Sequence, residues 1–125
     1  MPVLVDSDVL IEVSRGRNPD ITGQWKALSR SETAVVYSPV TAVELWAGSR
    51  PAEYTELNDL FQALTCIPID AETGRKAGEY LRQFHKSHSV ELGDALIGAA
   101  AAVTRAQLWT RNRKHYPMKD VVFFE

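Results

Sequence analysis

Apolar residues fall along this chain in short β-branched runs separated by longer stretches at helical spacing. Val3 to Val5 is too short and too β-branched for anything but a buried strand. Val9, Leu10 and Val13 follow at helical intervals, with Ser7 placed to cap the start and Gly16 to stop the helix. Arg17-Asn18-Pro19-Asp20 has turn chemistry, and Ile21, Trp25 and Leu28 mark a second amphipathic helix. Thr33 to Tyr37 reads as a second strand, closed by Ser38-Pro39. A short helix then carries Ala42, Leu45 and Trp46 on one face and ends at Gly48. Pro51 fits the first turn of the next helix, whose stripe is Tyr54, Leu57, Phe61 and Leu64. Cys66 to Ile69 is a third strand, placed near an edge because Pro68 cannot donate to a ladder.

Asp70 and Ala71 open a longer helix with the stripe Gly74, Ala77, Leu81, Phe84 and His88, and Ser87 to Val90 breaks it. Leu92 to Ala106 is predicted to be a helix with apolar or small residues nearly all round. Such a helix is buried, and its alanines let neighbouring backbone come close. Gln107 to Thr110 is a fourth strand, and Val121 to Phe124 a last one after the loop holding Tyr116-Pro117. Strands alternating with helices predict βαβ units. The expected fold is α/β, a three-layer α/β/α sandwich around a mostly parallel sheet, in one domain spanning 1–125.

Composition narrows the class without naming a partner. The formal net charge is −2, but Arg111, Arg113, Lys114 and His115 form a basic cluster near the carboxyl terminus. The one cysteine, Cys66, excludes an internal disulfide and any multi-cysteine zinc site, and its apolar context reads as an inert buried thiol. No basic–apolar–small leader pattern opens the chain, and no apolar run reaches the roughly 18 residues of a membrane span. The expectation is a soluble cytoplasmic protein.

In parallel sheets ligands bind at the carboxyl ends of the strands. That rule collects Asp6 to Asp8, Ser38 to Glu44, Asp70, and Thr110 to His115. Asp94 joins them as the acid inside the small-residue helix; it either sits in the first turn on the helix dipole or needs a cation. Glu44 completes a capping box with Thr41, or projects from a helix interior if Ser38-Pro39 is the start. Asp6 can cap the first helix, as Ser7 can, and Asp8 reads as a solvated first-turn charge. Three carboxylates gathered at one sheet edge repel one another unless a cation neutralises them. All-oxygen ligation suits Mg²⁺ or Mn²⁺. His85 and His88 lie three apart on a helix of mixed character and read as surface or half-buried side chains.

With these residues in hand, the whole chain resembles the PIN-domain family, specifically the ribonuclease toxins of VapBC-type toxin–antitoxin pairs. The likeness rests on the strand leading to Asp6-Ser7-Asp8, on Ser38-Pro39-Val40-Thr41-Ala42-Val43-Glu44-Leu45, on Asp94-Ala95-Leu96-Ile97-Gly98-Ala99-Ala100-Ala101, and on Thr110-Arg111-Asn112, in order and spacing. The resemblance implies Mg²⁺- or Mn²⁺-dependent cleavage of RNA. It implies catalytic roles for Asp6, Glu44 and Asp94, with Asp6 and Asp94 as the direct metal ligands. Ser7, Thr110 and Asn112 would support the site, and Arg111 with Arg113 and Lys114 would guide the RNA backbone. Trp46 or Tyr116 would be available to stack on bases. Partners would be a small VapB-type antitoxin and a second copy of the chain, the dimer surface drawing on Trp25, Trp46 or the Tyr54–Leu64 helix.

Where many members carry a fourth acid, this chain has His115, with Asp120 displaced downstream, and the number of metals stays open. His115 would contact phosphate, shuttle a proton, or stand on the surface. Two rivals remain. One is a PIN-like module that binds RNA or protein without cutting. The other is a haloacid-dehalogenase-type phosphatase, whose Asp-x-Asp start Asp6-Ser7-Asp8 resembles but whose glycine-containing turn Val9-Leu10-Ile11 does not supply.

Overall fold

Five short strands pair side by side, all parallel, in the order β3-β2-β1-β4-β5. They are β1 (Val3–Val5), β2 (Val35–Tyr37), β3 (Thr65–Cys66), β4 (Gln107–Trp109) and β5 (Val122–Phe123). The computed structural model describes residues 1–125. Six helices connect the strands: α1 (Ser7–Arg15), α2 (Pro19–Ser29), α3 (Pro39–Gly48), α4 (Tyr54–Gln62), α5 (Ala71–His88) and α6 (Leu92–Thr104). The three-layer sandwich expected from the sequence is the observed one, with the sheet wholly rather than mostly parallel.

The pleat sorts the core into two faces, because successive side chains of a strand point to opposite sides. Val3, Val5 and Trp109 pack with Leu10, Ile21, Leu28, Leu45, Leu57 and Phe61, which cover one face from α1 to α4. Leu4, Val36 and Leu108 pack on the other face with Ala77, Tyr80, Ile97 and the alanines of α6. β1 is covered on both faces, so every one of its residues is apolar and buried.

Local chemistry sets where each helix begins. Asp6, with extended backbone, caps α1 by accepting the Ser7 N–H, so the cap is Asp6 and Ser7 is the first helical residue. Gly16 ends α1 at φ 65°, a left-handed conformation that costs a Cβ-bearing residue and not glycine. Asn18, Ser38 and Asp70 cap α2, α3 and α5, each followed within three residues by the N–H it accepts.

Two expectations are corrected. Cys66 is exposed, because β3 is a two-residue edge strand with both residues open to solvent. The small-residue helix is not buried all round: it stops at Thr104, and Leu92 at its mouth is 64% exposed. Its middle is buried as expected, with Ala95, Ala99, Ala100 and Ala101 fully covered.

The strand order also makes a crevice. From β1 the chain runs outward through β2 to β3, then returns past β1 to β4 and β5. Connections therefore leave β1 and β4 in opposite directions, and a gap opens at their carboxyl ends. Asp6 follows β1 and Thr110 follows β4, and the Asp6 N–H is tied to the Trp109 carbonyl at 2.9 Å.

A carboxylate cleft at the ends of the first and fourth strands

Asp6 is held from three sides. Its Oδ1 accepts the Ser7 N–H at 2.8 Å, and its Oδ2 accepts hydroxyls from Thr110 and Tyr116, both at 2.8 Å. The residue is only 8% exposed, so these donors replace the water the carboxylate gives up. Burial, followed by the nearby Asp6 charge, pushes the Tyr116 phenol well above its ordinary range. Tyr116 therefore stays protonated and donates. It is 3% exposed and cannot stack on a nucleotide base, which corrects one expectation.

Glu44 projects from inside α3. Ser38 is the cap and Pro39 the first helical residue, so the Thr41 capping box does not form and Glu44 is free to turn toward α1. Its Oε1 accepts the Ser7 hydroxyl at 2.6 Å. Asp94 occupies the first turn of α6 and accepts the Glu91 N–H through Oδ2 at a long 3.4 Å. Its Oδ1 stands 3.9 Å from Nδ1 of His115. Burial pushes the Asp94 carboxyl above its usual range. Asp94 thus sits in the first turn of α6, as one of its two readings expects, and turns its other oxygen toward His115.

Asp8 departs most from expectation. It is partly buried and reaches back to the loop after β4, where its Oδ2 accepts the Arg111 N–H at 3.0 Å and the Asn112 side-chain amide at 3.2 Å. Thr110 Oγ lies 3.5 Å from the same oxygen. Burial first, and the Asp6 charge second, raise the Asp8 carboxyl to about 6. It is not a solvated first-turn charge. Side chains on a helix tilt toward its amino terminus, and here that direction leads into the cleft.

These residues line one open cleft of about 650 Å³, formed by Asp6, Ser7, Asp8, Ile11, Glu44, Ser89, Glu91, Asp94, Asn112 and His115. Thr110 Oγ also accepts the Asn112 N–H at 3.1 Å, so the loop is fastened to both aspartates of the β1–α1 junction.

The remaining candidates lie elsewhere or are already engaged. Arg111 pairs with Glu12 at 3.2 Å. Arg113 is turned to the carboxyl terminus, where it meets Glu125 and the Phe124 carbonyl at 3.3 Å and lies 4.9 Å over the Phe123 ring. Of the basic cluster, Lys114 makes no ion pair. Asp120 is no substitute acid for the cleft, since Lys76 and the Tyr80 hydroxyl both hold it at 2.6 Å. His85 and His88 are exposed on α5, with His85 Nδ1 3.1 Å from the Val90 carbonyl. Trp25 stacks toward Trp109 in the core layer, whereas Trp46 and Tyr54 meet edge to face at 5.5 Å on the surface.

The donor set can be tested against a divalent cation. As the side chains stand, no three carboxylates or imidazoles close around a single point. The cleft nonetheless offers the carboxylate oxygens of Asp6, Asp8, Glu44 and Asp94, with His115 as its one imidazole. Mg²⁺ takes one or two carboxylates and keeps several of its waters, so it does not require three converging acids. Two carboxylates here hold their protons more tightly than usual, chiefly because burial strips their water. The residues fit such an ion.

Comparison with known proteins agrees with the fold. The PIN domain family model matches residues 3–121. "Ribonuclease VapC10" of Mycobacterium tuberculosis is 38% identical over 117 residues, covering 93% of this chain and 86% of that protein. "Ribonuclease VapC19" of the same organism is 29% identical over 116 residues, 92% of each. Among solved structures, VapBC2 of Rickettsia felis, bound to a promoter DNA fragment, superposes with a TM-score of 0.83 at 19% identity, covering 99% of this chain and 98% of that one.

Proposed function

The chain belongs to the PIN-domain family and is a homologue of the VapC ribonucleases, and from that premise we propose that it is a divalent-metal-dependent endoribonuclease, the toxin of a toxin–antitoxin pair. The observation that carries this reading is the convergence of Asp6, Glu44 and Asp94, from three distant segments, on one cleft at the carboxyl ends of β1 and β4. The substrate is RNA. The partners are a VapB-type antitoxin that blocks the cleft and a second copy of the chain.

Asp6 and Asp94 are the residues that would hold Mg²⁺ or Mn²⁺. When bound, the ion would supply Lewis-acid stabilisation of the phosphoryl oxygens and a water acidic enough to attack at neutral pH. Glu44 has its Oε1 fixed by Ser7, which would leave Oε2 as the acceptor for a proton released in the cleft. Thr110 and Tyr116 hold Asp6 in one orientation, so its charge faces the same point in every turnover. Asn112 keeps the loop after β4 against α1, and His115 beside Asp94 is placed to donate to a phosphate oxygen or leaving group. Lys114 and Arg111, exposed in the segment after β4, would attract the RNA backbone, Arg111 once released from Glu12.

The test is cleavage of RNA by the purified chain with Mg²⁺, with EDTA, and with Asp6→Asn, followed by sequencing of RNA ends after induced expression. Metal-dependent ends that vanish in the variant support the reading, and equal cleavage by the variant would refute it. A second reading has one observation behind it. The acids do not already converge three to a point, as a PIN-like module that binds without cutting would allow. Calorimetry with Mn²⁺ separates the two, because a binding-only module has no need of the ion.

A further inference from the structure

The three cations of the segment after β4 are held in three different ways. Lys114 makes no ion pair. Arg113 pairs with Glu125 at 3.3 Å, and that carboxylate keeps 82% of its side chain in water. Arg111 pairs with Glu12 at 3.2 Å, where the Glu12 side chain is only 15% exposed and that of Arg111 45%. We propose that Glu12 withholds Arg111 from the RNA backbone and so sets how tightly the chain holds its substrate. The inference rests on the RNA reading above and adds to it a residue that works against binding. Glu12 touches no reacting atom; it is a positioning residue that acts through Arg111.

Asp8 and Glu12 lie one turn apart on α1 and share a face. Both are turned to the segment after β4. Asp8 Oδ2 accepts the Arg111 N–H at 3.0 Å, and Glu12 takes the guanidinium. Main chain and side chain of Arg111 are therefore held by consecutive turns of one helix. Arg111 stands between Thr110, which holds Asp6, and Asn112, which lines the cleft. A phosphate that enters the cleft meets Arg111 only in competition with Glu12.

That exchange is unequal. When an exposed ion pair parts, its charges regain water and little is lost. Arg113 and Glu125 are such a pair. When Arg111 leaves, Glu12 stays behind with little access to water, and it makes no other ion pair. Stranding a carboxylate that is largely withdrawn from water is the larger cost, and RNA binding bears it. If the pair stays closed instead, its two charges cancel and offer a phosphate little net attraction. Either way the pair keeps one phosphate contact weak, although the cation for it is already at the site.

The experiment measures binding of a fluorescently labelled, mixed-sequence single-stranded RNA by anisotropy, over a range of salt concentrations. Every protein compared carries Asp6→Asn, so that the RNA stays whole; if that parent does not fold, the same series is run in EDTA with Asp6 intact. Glu12→Gln keeps the length and polarity of the side chain and removes its charge. It is expected to bind about threefold to tenfold tighter than the parent. Its plot of log K against log salt should be steeper by about 0.7, the increment for one added phosphate contact on a single strand. Arg111→Gln alone is expected to leave Kd within about twofold of the parent, and to abolish the gain when combined with Glu12→Gln. A parental Kd and slope in Glu12→Gln, or weaker binding, overturns the inference and leaves the RNA reading intact. So does a gain that survives Arg111→Gln, because the lost charge of Glu12 then acts without Arg111. Absence of RNA binding by the parent overturns both. Should Glu12→Gln fail to fold, Glu12→Ala is measured in its place and judged by the same Kd and slope.

Discussion

Tyr116 donates its hydroxyl to Oδ2 of Asp6 at 2.8 Å, across 110 positions of sequence, and both residues are buried. A buried carboxylate depends on such donors, because each one lost is a charge left short of solvation. Tyr116→Phe is therefore expected to destabilise the protein by about 1.5–3 kcal/mol, although the ring still fills its space against Gly98 and Met118. Thermal or chemical denaturation measures the loss. RNA cleavage falls as well, because Asp6 gains rotational freedom. An unchanged melting midpoint would show that Thr110 and the Ser7 N–H suffice.

Ser7→Ala removes the donor that fixes Glu44 Oε1. Glu44 is exposed and can take up water instead, so the cost in stability is expected to be small, about 1 kcal/mol or less. The effect on cleavage is larger than on folding. A drop in kcat with little change in KM is the expected pattern, and Ser7→Thr should restore part of it.

The metal-free protein has an unusual pH dependence through its acids. Asp8 is raised from 3.8 to about 6, and Asp94 is raised as well. The folded state thus holds these protons more tightly than the unfolded chain; stability from Asp8 falls as pH rises from about 4 through about 6, and Asp94 acts in the same direction. In EDTA, their contribution is greater at pH 4 to 5 than at pH 7, and Asp8→Asn flattens the Asp8 share. Added Mg²⁺ reverses the slope, since the ion competes with protons for the same oxygens. Denaturation midpoints across pH, with and without the ion, give the sign directly.

Asp120→Ala separates structure from chemistry. Asp120 accepts from Lys76 and from the Tyr80 hydroxyl, each at 2.6 Å, away from the cleft. Its loss leaves the half-buried Tyr80 hydroxyl unpartnered and is expected to cost about 1–3 kcal/mol. Cleavage by the folded fraction is unchanged. Loss of activity with a normal melting midpoint would make Asp120 part of the site after all.

What the sequence could and could not disclose follows from the range over which each residue acts. Strands and helices are bounded by local chemistry, such as Ser38-Pro39 or Asn18-Pro19, so the layers and the parallel sheet could be read in order. Strand ends taken as one edge bring Asp6 and Glu44 together but also gather Asp70, which caps α5 and does not line the cleft, whereas Asp94 joins only as an acid in a small-residue helix. Asp8 was misread because its partners lie more than 100 residues away, while its neighbours advertise an ordinary helix start. Tyr116 reads as available to stack on bases for the same reason, its partner Asp6 lying 110 residues away. The available signal was a phenol that could follow Thr110 toward Asp6. Cys66 misled in the opposite direction: its apolar neighbours suggested a core, but the strand is two residues long at the sheet edge. Arg113 sits in a basic run and is nonetheless occupied by the carboxyl-terminal residues.

The pairing of β1 with β4 has a consequence for how the protein is made. Asp6, Glu44 and Asp94 leave the ribosome in that order, and yet the hydroxyls and amides that orient Asp6 and Asp8 belong to Thr110, Arg111, Asn112 and Tyr116, which follow them. β1 stays without its neighbour on one side until Gln107 to Trp109 has emerged. A nascent chain therefore carries all three acids, from the emergence of Asp94 until Thr110 to Tyr116 follow, without a cleft to use them in. Acids made early are thus aimed only by groups made after β4, and the cutting geometry follows the order of synthesis.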